Sequence, residues 1–155
     1  MENLEIANVN ALDSRDFIEV YKLAYRGLLE YAYTSPRDIE NYFWWLLKRD
    51  RNGFFKAILA NRVVGFIACD TNWISYIEGV EVGEIHEIFV HPRFRGKGIG
   101  KKLVEKGIHY SKQRGRKICE LWVGDRNELA KEFYRKLGFR EMDKLGKWIR
   151  MVKEI

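Results

Sequence analysis

Glu84-Ile85-His86-Glu87-Ile88-Phe89-Val90-His91-Pro92-Arg93-Phe94-Arg95-Gly96-Lys97-Gly98-Ile99-Gly100-Lys101-Lys102-Leu103 is the stretch that decides the fold. It reads as strand, tight turn and helix. Residues 84–90 alternate polar and apolar side chains and are rich in β-branched types, and Pro92 cannot extend a hydrogen-bonded ladder, so the strand must stop just before it. From Gly98 onward, Ile99, Leu103, Val104, Gly107, Ile108 and Ser111 fall at helical spacing, and Gly115 stands where a helix end favours a left-handed residue. Between the two elements Gly96, Gly98 and Gly100 occupy alternate positions.

Glycines at a helix mouth let backbone N–H groups converge and let a ligand come close, at the positive end of the helix dipole. That is an anion socket. Arg93, Arg95, Lys97, Lys101 and Lys102 crowd the same loop, so the expected ligand carries phosphates. The plainer alternative is a glycine-softened loop with a solvated charge run. A P-loop would need a hydroxyl residue after its lysine, and Gly100-Lys101-Lys102 has none. The dinucleotide fingerprint would need its third glycine where Lys101 stands, although Glu120 lies near the distance expected of the ribose-binding acid.

Arg95-Gly96-Lys97-Gly98-Ile99-Gly100 resembles the Arg/Gln-x-x-Gly-x-Gly/Ala signature of the GNAT superfamily of N-acetyltransferases. Ile88-Phe89-Val90-His91-Pro92 is similar to the end of that family's fourth strand, and Asn127-x-x-Ala130-x-x-Phe133-Tyr134-x-x-x-Gly138-Phe139 resembles its other hallmark. The resemblance covers most of the chain, most strongly from Phe54 onward. It implies an enzyme that moves the acetyl group of acetyl-CoA to a primary amine by direct attack in a ternary complex, without a metal. It also implies that Ile88, Phe89, Val90, Arg95, Gly96, Lys97, Gly98, Ile99, Gly100, Asn127 and Tyr134 hold the coenzyme.

Amine acetylation needs a neutral amine, a polarised carbonyl and a protonated leaving thiolate. Various family members place Glu, Tyr or His where Glu84 stands and some place His where His86 stands, so the resemblance implies Glu84 as base through water, with His86 as relay. Their plainer alternative is a solvated or salt-bridged strand face. Ideal alternation puts Glu84 and His86 on the face shared with Ile88 and Val90 and Glu87 on the other, unless a bulge intervenes. Glu87 is a further candidate for the base, with an ion-pair role as its alternative. By the motif, Tyr134 is the general acid, whereas helical spacing alone makes it a core aromatic. Asn127 suits a helix cap, a coenzyme contact, or both. The N–H groups of residues 88–90 are the expected polarisers of the thioester carbonyl.

Size and composition set the bounds. The 155 residues suit one domain spanning the whole chain, and a hydrophobic fraction of 46% argues against disorder. Cys69 and Cys119 lie far apart without a metal-ligand pattern, which points to a reducing compartment. The acidic Met1-Glu2-Asn3-Leu4-Glu5 lacks the build of a signal peptide, and no apolar run has the length of a membrane span, so a cytoplasmic protein is expected. A net charge of +6, from 28 Lys and Arg against 22 Asp and Glu, concentrates at the glycine loop. A phosphate-rich small ligand explains that placement without nucleic acid.

In chain order, residues 4–9 suggest a strand. Asp13-Ser14-Arg15-Asp16 supplies a cap and first-turn acids for a helix through Phe17, Val20, Tyr21, Ala24 and Leu28. Ser35-Pro36-Arg37-Asp38 opens a second helix running toward Arg49. The resemblance makes the surrounding tyrosines and tryptophans (Tyr25, Tyr31, Tyr33, Tyr42, Trp44, Trp45) one wall of an acceptor groove; packing onto a sheet is the alternative. Strands are expected at 54–59 and 63–69 about Ala60-Asn61-Arg62, then at 117–123, with residues 71–81 unassigned. A helix through Leu129, Ala130, Phe133, Tyr134 and Leu137 closes at Gly138, and a hairpin turns at Leu145-Gly146-Lys147.

The expected class is α+β, a mixed, mostly antiparallel sheet with helices on both faces. Two other functions compete with acetyl transfer: a non-catalytic acyl-CoA-binding sensor or interaction module, and a basic nucleic-acid-binding domain. The acceptor is open among small-molecule amines, protein N-termini and lysine side chains. Exposed terminal strands leave room for a homodimer.

Overall fold

In a computed structural model that describes residues 3–155, the chain runs β1 (Leu4–Asn8), α1 (Ser14–Ala24), α2 (Pro36–Arg49), β2 (Phe54–Leu59), β3 (Arg62–Ile74), β4 (Glu81–Val90), α3 (Ile99–Gln113), β5 (Ile118–Gly124), α4 (Glu128–Lys136), β6 (Arg140–Leu145) and β7 (Trp148–Glu154). Met1 and Glu2 of the acidic N-terminal run lie outside the described residues. The strands form one open sheet ordered β1-β2-β3-β4-β5-β7-β6. Every neighbouring pair is antiparallel except β4 and β5.

Each face of the sheet carries its own core. Under α1 and α2, Phe17 is fully buried, with the rings of Tyr21, Phe43, Phe54, Phe66 and Phe89 around it at centroid distances between 5.2 and 5.9 Å. Most of these pairs are tilted or edge-on, the arrangement the ring quadrupole favours. Under α3 and α4, Leu103, Val104, Tyr134 and Phe139 pack against Ile67, Ile85, Leu121 and Met151. The expected layering is present.

Local chemistry sets the element ends. Ser35 Oγ accepts from the Asp38 amide at 3.1 Å and Pro36 takes the first helical position, as the sequence indicates. Before α1 the cap differs from expectation. Asp13 makes no side-chain cap bond to that helix; instead Asn10 caps a preceding single turn, Asp13 Oδ2 accepts from the Asn10 amide at 2.8 Å, and Lys56 pairs with Asp13 at 2.8 Å. The helix also stops at Ala24, short of Leu28. At the end of α4 the Gly138 amide donates to Arg135 and the Phe139 amide to Tyr134, which is the two-bond Schellman closure expected there. The unassigned residues 71–81 hold the end of β3, a turn, and the start of β4.

Only three residue pairs join β4 to β5: Gly83 with Cys119, Glu84 with Glu120 and Ile85 with Leu121. Gly83 is required at this crossing, because a Cβ there would lie 2.0 Å from Ser111 Oγ on α3. Beyond Ile85 the two strands part. The gap between them positions the site.

Candidate active site

β4 opens the gap through a bulge. Ala68 pairs with Glu87 and Cys69 with Ile85, so His86 is an extra residue on β4, and a bulge bends and twists its strand. Two consecutive side chains consequently turn to the α1–α2 side. His86 Nε2 lies 2.8 Å from Asp70 Oδ2 and the ring packs on Trp45 and Trp73, while Glu87 meets Tyr25 and Tyr42. Ile85, Ile88 and Val90 join the core under α3. This corrects the ideal alternation, which placed Glu84 and His86 with Ile88 and Val90.

The same bulge leaves a strand edge free. The His91 amide donates to Val64 on β3 at 2.7 Å, so by the two-residue period the amides of Ile88 and Val90 point away from β3, toward the gap. A cavity of about 900 Å³ occupies that gap. β4, the glycine loop, the end of β5 and α4 all contribute to its wall.

At the glycine loop, Gly96 and Gly98 have φ of +78° and +79°, and a Cβ on either would meet nothing within 4 Å. Backbone conformation is what requires glycine here, rather than space. Gly98 is the N-cap of α3, whose first-turn amides have no intrahelical partner and face the cavity mouth with Lys101. Arg95 donates from Nη2 to the Ala24 carbonyl at 3.1 Å, tying the loop to the end of α1. Of the residues that the resemblance assigns to the coenzyme, all but Lys97 line the cavity. Asn127 accepts from the Ala130 amide at 3.3 Å as the cap of α4, and Leu129 is 88% exposed at the cavity rim rather than packed inward as its spacing suggests.

Two acids, Glu30 and Glu87, line the cavity, and Glu87 is the buried one. Burial pushes its carboxyl up to about 7, against the lowering effect of hydrogen bonds donated by Tyr25 and by Tyr42 (2.8 Å). Tyr134 also lines the cavity, and burial, then the Glu87 charge, raise its hydroxyl well above the usual tyrosine range. His86 belongs to both this wall and an adjoining hollow. Burial would raise its partner Asp70, but bonds from His86, Arg49 and the Asn72 amide outweigh it and hold Asp70 low. An ionised Asp70 is an acceptor for His86 Nε2–H.

The structure does not bring Glu84 to the cavity. It is 3% exposed, and its Oε1 has no hydrogen-bond partner among the described residues. Burial and the neighbouring Glu120 raise the Glu84 carboxyl well above the usual range, while burial of Glu120 is outweighed by bonds from Glu84, Arg150 and Ser75, which hold its carboxyl low. Glu120 accepts from Ser75 Oγ at 2.7 Å and from the buried Arg150, which also pairs with Asp143 and Glu78. Sequence reasoning misses Tyr25 and Tyr42 as partners of Glu87 and Asp70 as the partner of His86. Their signal was a polar tip at helical spacing on an otherwise apolar face, and a lone acid after the apolar run of residues 63–69.

Comparison with known proteins agrees with this geometry. The acetyltransferase (GNAT) family matches residues 15–139. An uncharacterised N-acetyltransferase of Archaeoglobus fulgidus is 50% identical over 143 residues, spanning 92% of this chain and 97% of that protein. The chain belongs to the GNAT family. It is therefore an acetyl-CoA-dependent N-acetyltransferase by family. An uncharacterised N-acetyltransferase of Methanocaldococcus jannaschii is 54% identical over 97% of this chain, which spans 66% of that protein's length. Among solved structures, a Pyrococcus horikoshii protein superposes with a TM-score of 0.90 at 38% identity, covering 99% of each chain. The PaiA N-acetyltransferase of Thermoplasma acidophilum, solved with coenzyme A, has the same fold, with a TM-score of 0.83 at 22% identity over 99% of each chain.

The residues present fit that coenzyme. Left-handed glycines, a helix N-terminus and an unpaired strand edge converge on one cavity of adequate size.

Proposed function

We propose that the chain acetylates a primary amine by direct attack within a ternary complex, with Glu87 as the base and Tyr134 as the acid. One observation carries this reading: Glu87, its carboxyl raised to about 7, lines the same cavity as Tyr134 and the free edge of β4. A base poised near neutrality is suited to removing a proton from an ammonium acceptor. Glu84 lacks that access.

Acetyl-CoA, when bound, supplies the acetyl thioester that the amine attacks. The loop and first-turn amides from Gly96 to Lys101 would hold its diphosphate, with the Lys101 side chain at the mouth. The Ile88 and Val90 amides would bind the pantetheine arm and polarise the carbonyl. Asn127 keeps its side-chain N–H groups free for the same ligand, because its oxygen is the part used as a cap. Glu87 takes the amine proton, while Tyr134 retains its own at neutral pH and holds it for the departing thiolate. A cytoplasmic setting belongs to the same reading, supported by Cys69 and Cys119 as free buried thiols.

The test is twofold. Acetyl-CoA at about 100 times its dissociation constant should stabilise the fold by roughly 2.7 kcal/mol, and primary amines should then release free thiol. Stabilisation without thiol release would favour a non-catalytic sensor. An unchanged melting curve would refute both.

A further inference from the structure

The hollow next to the main cavity has its own chemistry. Tyr33, Asp38, Asn41, Tyr42, Trp45 and His86 enclose about 500 Å³, and Tyr33, Tyr42 and His86 also line the main cavity. The two spaces meet at the residue before Glu87. On α2, Asp38, Tyr42 and Trp45 sit at positions i, i+4 and i+7, so one stripe of the helix faces the bulge of β4. Opposite that stripe stands His86, edge-on to Trp45 at 4.9 Å.

Its rings form a connected wall. Tyr33 and Tyr42 are 5.1 Å apart, and Tyr42 stacks on Trp45 at 6.2 Å with planes 17° apart. Tyr33 is 50% exposed and Trp45 41% exposed, so ring surface is available to a ligand rather than spent on the core. The one charged residue in the wall is Asp38, which enters none of the ion pairs among the described residues. Arg49, one further turn along α2, is turned to Asp70 at 2.7 Å and over the Trp73 ring, outside the lining. Aromatic faces with an unpaired carboxylate and no cation favour a positively charged guest.

The reacting amine cannot be that guest, because it must give up its proton to Glu87 before it attacks. We propose that this hollow binds a second cationic centre of the acceptor, so that the substrate class is a small amine carrying two positive charges, such as a linear diamine or longer polyamine. The inference rests on the acetyl-transfer reading and adds the acceptor to it. One end of the acceptor stays protonated against Asp38, Tyr42 and Trp45 while the other reaches Glu87. A monoamine has only one ammonium for two tasks. Seated on Asp38 it is held unproductively; released to Glu87 it loses its anchor.

The experiment compares linear α,ω-diamines of increasing length with the matching n-alkylamines, using the full chain and saturating acetyl-CoA, with free thiol as the readout. At least one diamine should exceed its monoamine in kcat/KM by about ten-fold, and Asp38→Asn should collapse that ratio. Calorimetric titration of the preferred diamine into the CoA-bound chain should show binding weakened about ten-fold by Asp38→Asn, and also weakened by Trp45→Leu. Equal rates for every diamine and monoamine pair, or a preference that survives Asp38→Asn, overturns the second-cation site while acetyl transfer stands. Preference for a peptide α-amine over all diamines overturns it too. If no amine releases thiol, the acetyl-transfer reading fails, and titration of each diamine in turn decides the site: binding that Asp38→Asn weakens supports a cation held at Asp38, and no binding overturns it.

Discussion

Tyr42 donates a 2.8 Å hydrogen bond to Glu87 Oε2 while its oxygen also lies 3.2 Å from the His86 carbonyl. One phenolic proton cannot serve both acceptors. The shorter contact, to a carboxylate, wins while Glu87 is ionised; the carbonyl is the alternative once Glu87 is protonated. Tyr42 therefore stabilises the charged form. Tyr42→Phe should move the acidic limb of the kcat/KM profile upward from about 7 by about one pH unit. An unmoved limb in the variant would show that Tyr42 does not set the acidity of Glu87.

Removing the carboxyl has two separable effects. Glu87→Gln should lower kcat/KM by roughly 10²- to 10⁴-fold and abolish the limb near neutrality. It should also alter stability against pH. The folded chain raises this carboxyl from 4.5 to about 7, so it binds the proton more tightly than the unfolded chain. That contribution is full below pH 4.5 and is lost as pH rises through about 7. Urea denaturation at pH 5 and pH 8 should show this loss in the native protein and a flatter dependence in Glu87→Gln. A Gln variant with full activity would require a different base.

The Tyr134 hydroxyl has no hydrogen-bond partner among the described residues, although the residue is only 8% exposed, so the ring is held in place by packing against Phe133 and Phe139. Tyr134→Phe should preserve those contacts and leave coenzyme affinity nearly intact while lowering turnover by about 10²-fold. Single-turnover kinetics with a thiol readout would separate this from a binding defect. Undiminished turnover would reduce Tyr134 to a core aromatic.

Most of this arrangement was legible in the residues. The loop with Gly96 and Gly98, the α4 closure at Gly138 and the two-faced sheet follow from glycine placement and hydrophobic period, which are local signals. The direction of Glu84, His86 and Glu87 on one strand was not legible. Period-two reasoning assumes a regular ladder, and the extra residue at His86 exists because β3 and β4 fall out of register between Ala68 and Cys69, a non-local event. Glu84, the expected base, lost its access to the burial of Glu120 and Arg150 from strands distant in sequence. Trp44 and Trp45 show the same limit: adjacency requires them to diverge, yet both remain 41% exposed, and only the β3–β4 hairpin makes Trp45 part of a wall.

Glu84 and Glu120 stand side by side on paired strands but should respond oppositely to the same change. Burial and the Glu120 charge favour the protonated form of Glu84, and an amide in its place keeps a donor beside Glu120. Glu84→Gln should therefore cost under about 1 kcal/mol and reduce kcat/KM far less than Glu87→Gln. Glu120 carries the charge that Arg150 faces, and Arg150 is 1% exposed. Glu120→Gln leaves that guanidinium with only its outer partners, Glu78 and Asp143, and should cost about 3–5 kcal/mol. Denaturant midpoints at neutral pH measure both. Comparable losses in the two variants would mean that the charge is shared between the carboxyls, and a collapse of activity in Glu84→Gln at intact stability would return the base to Glu84.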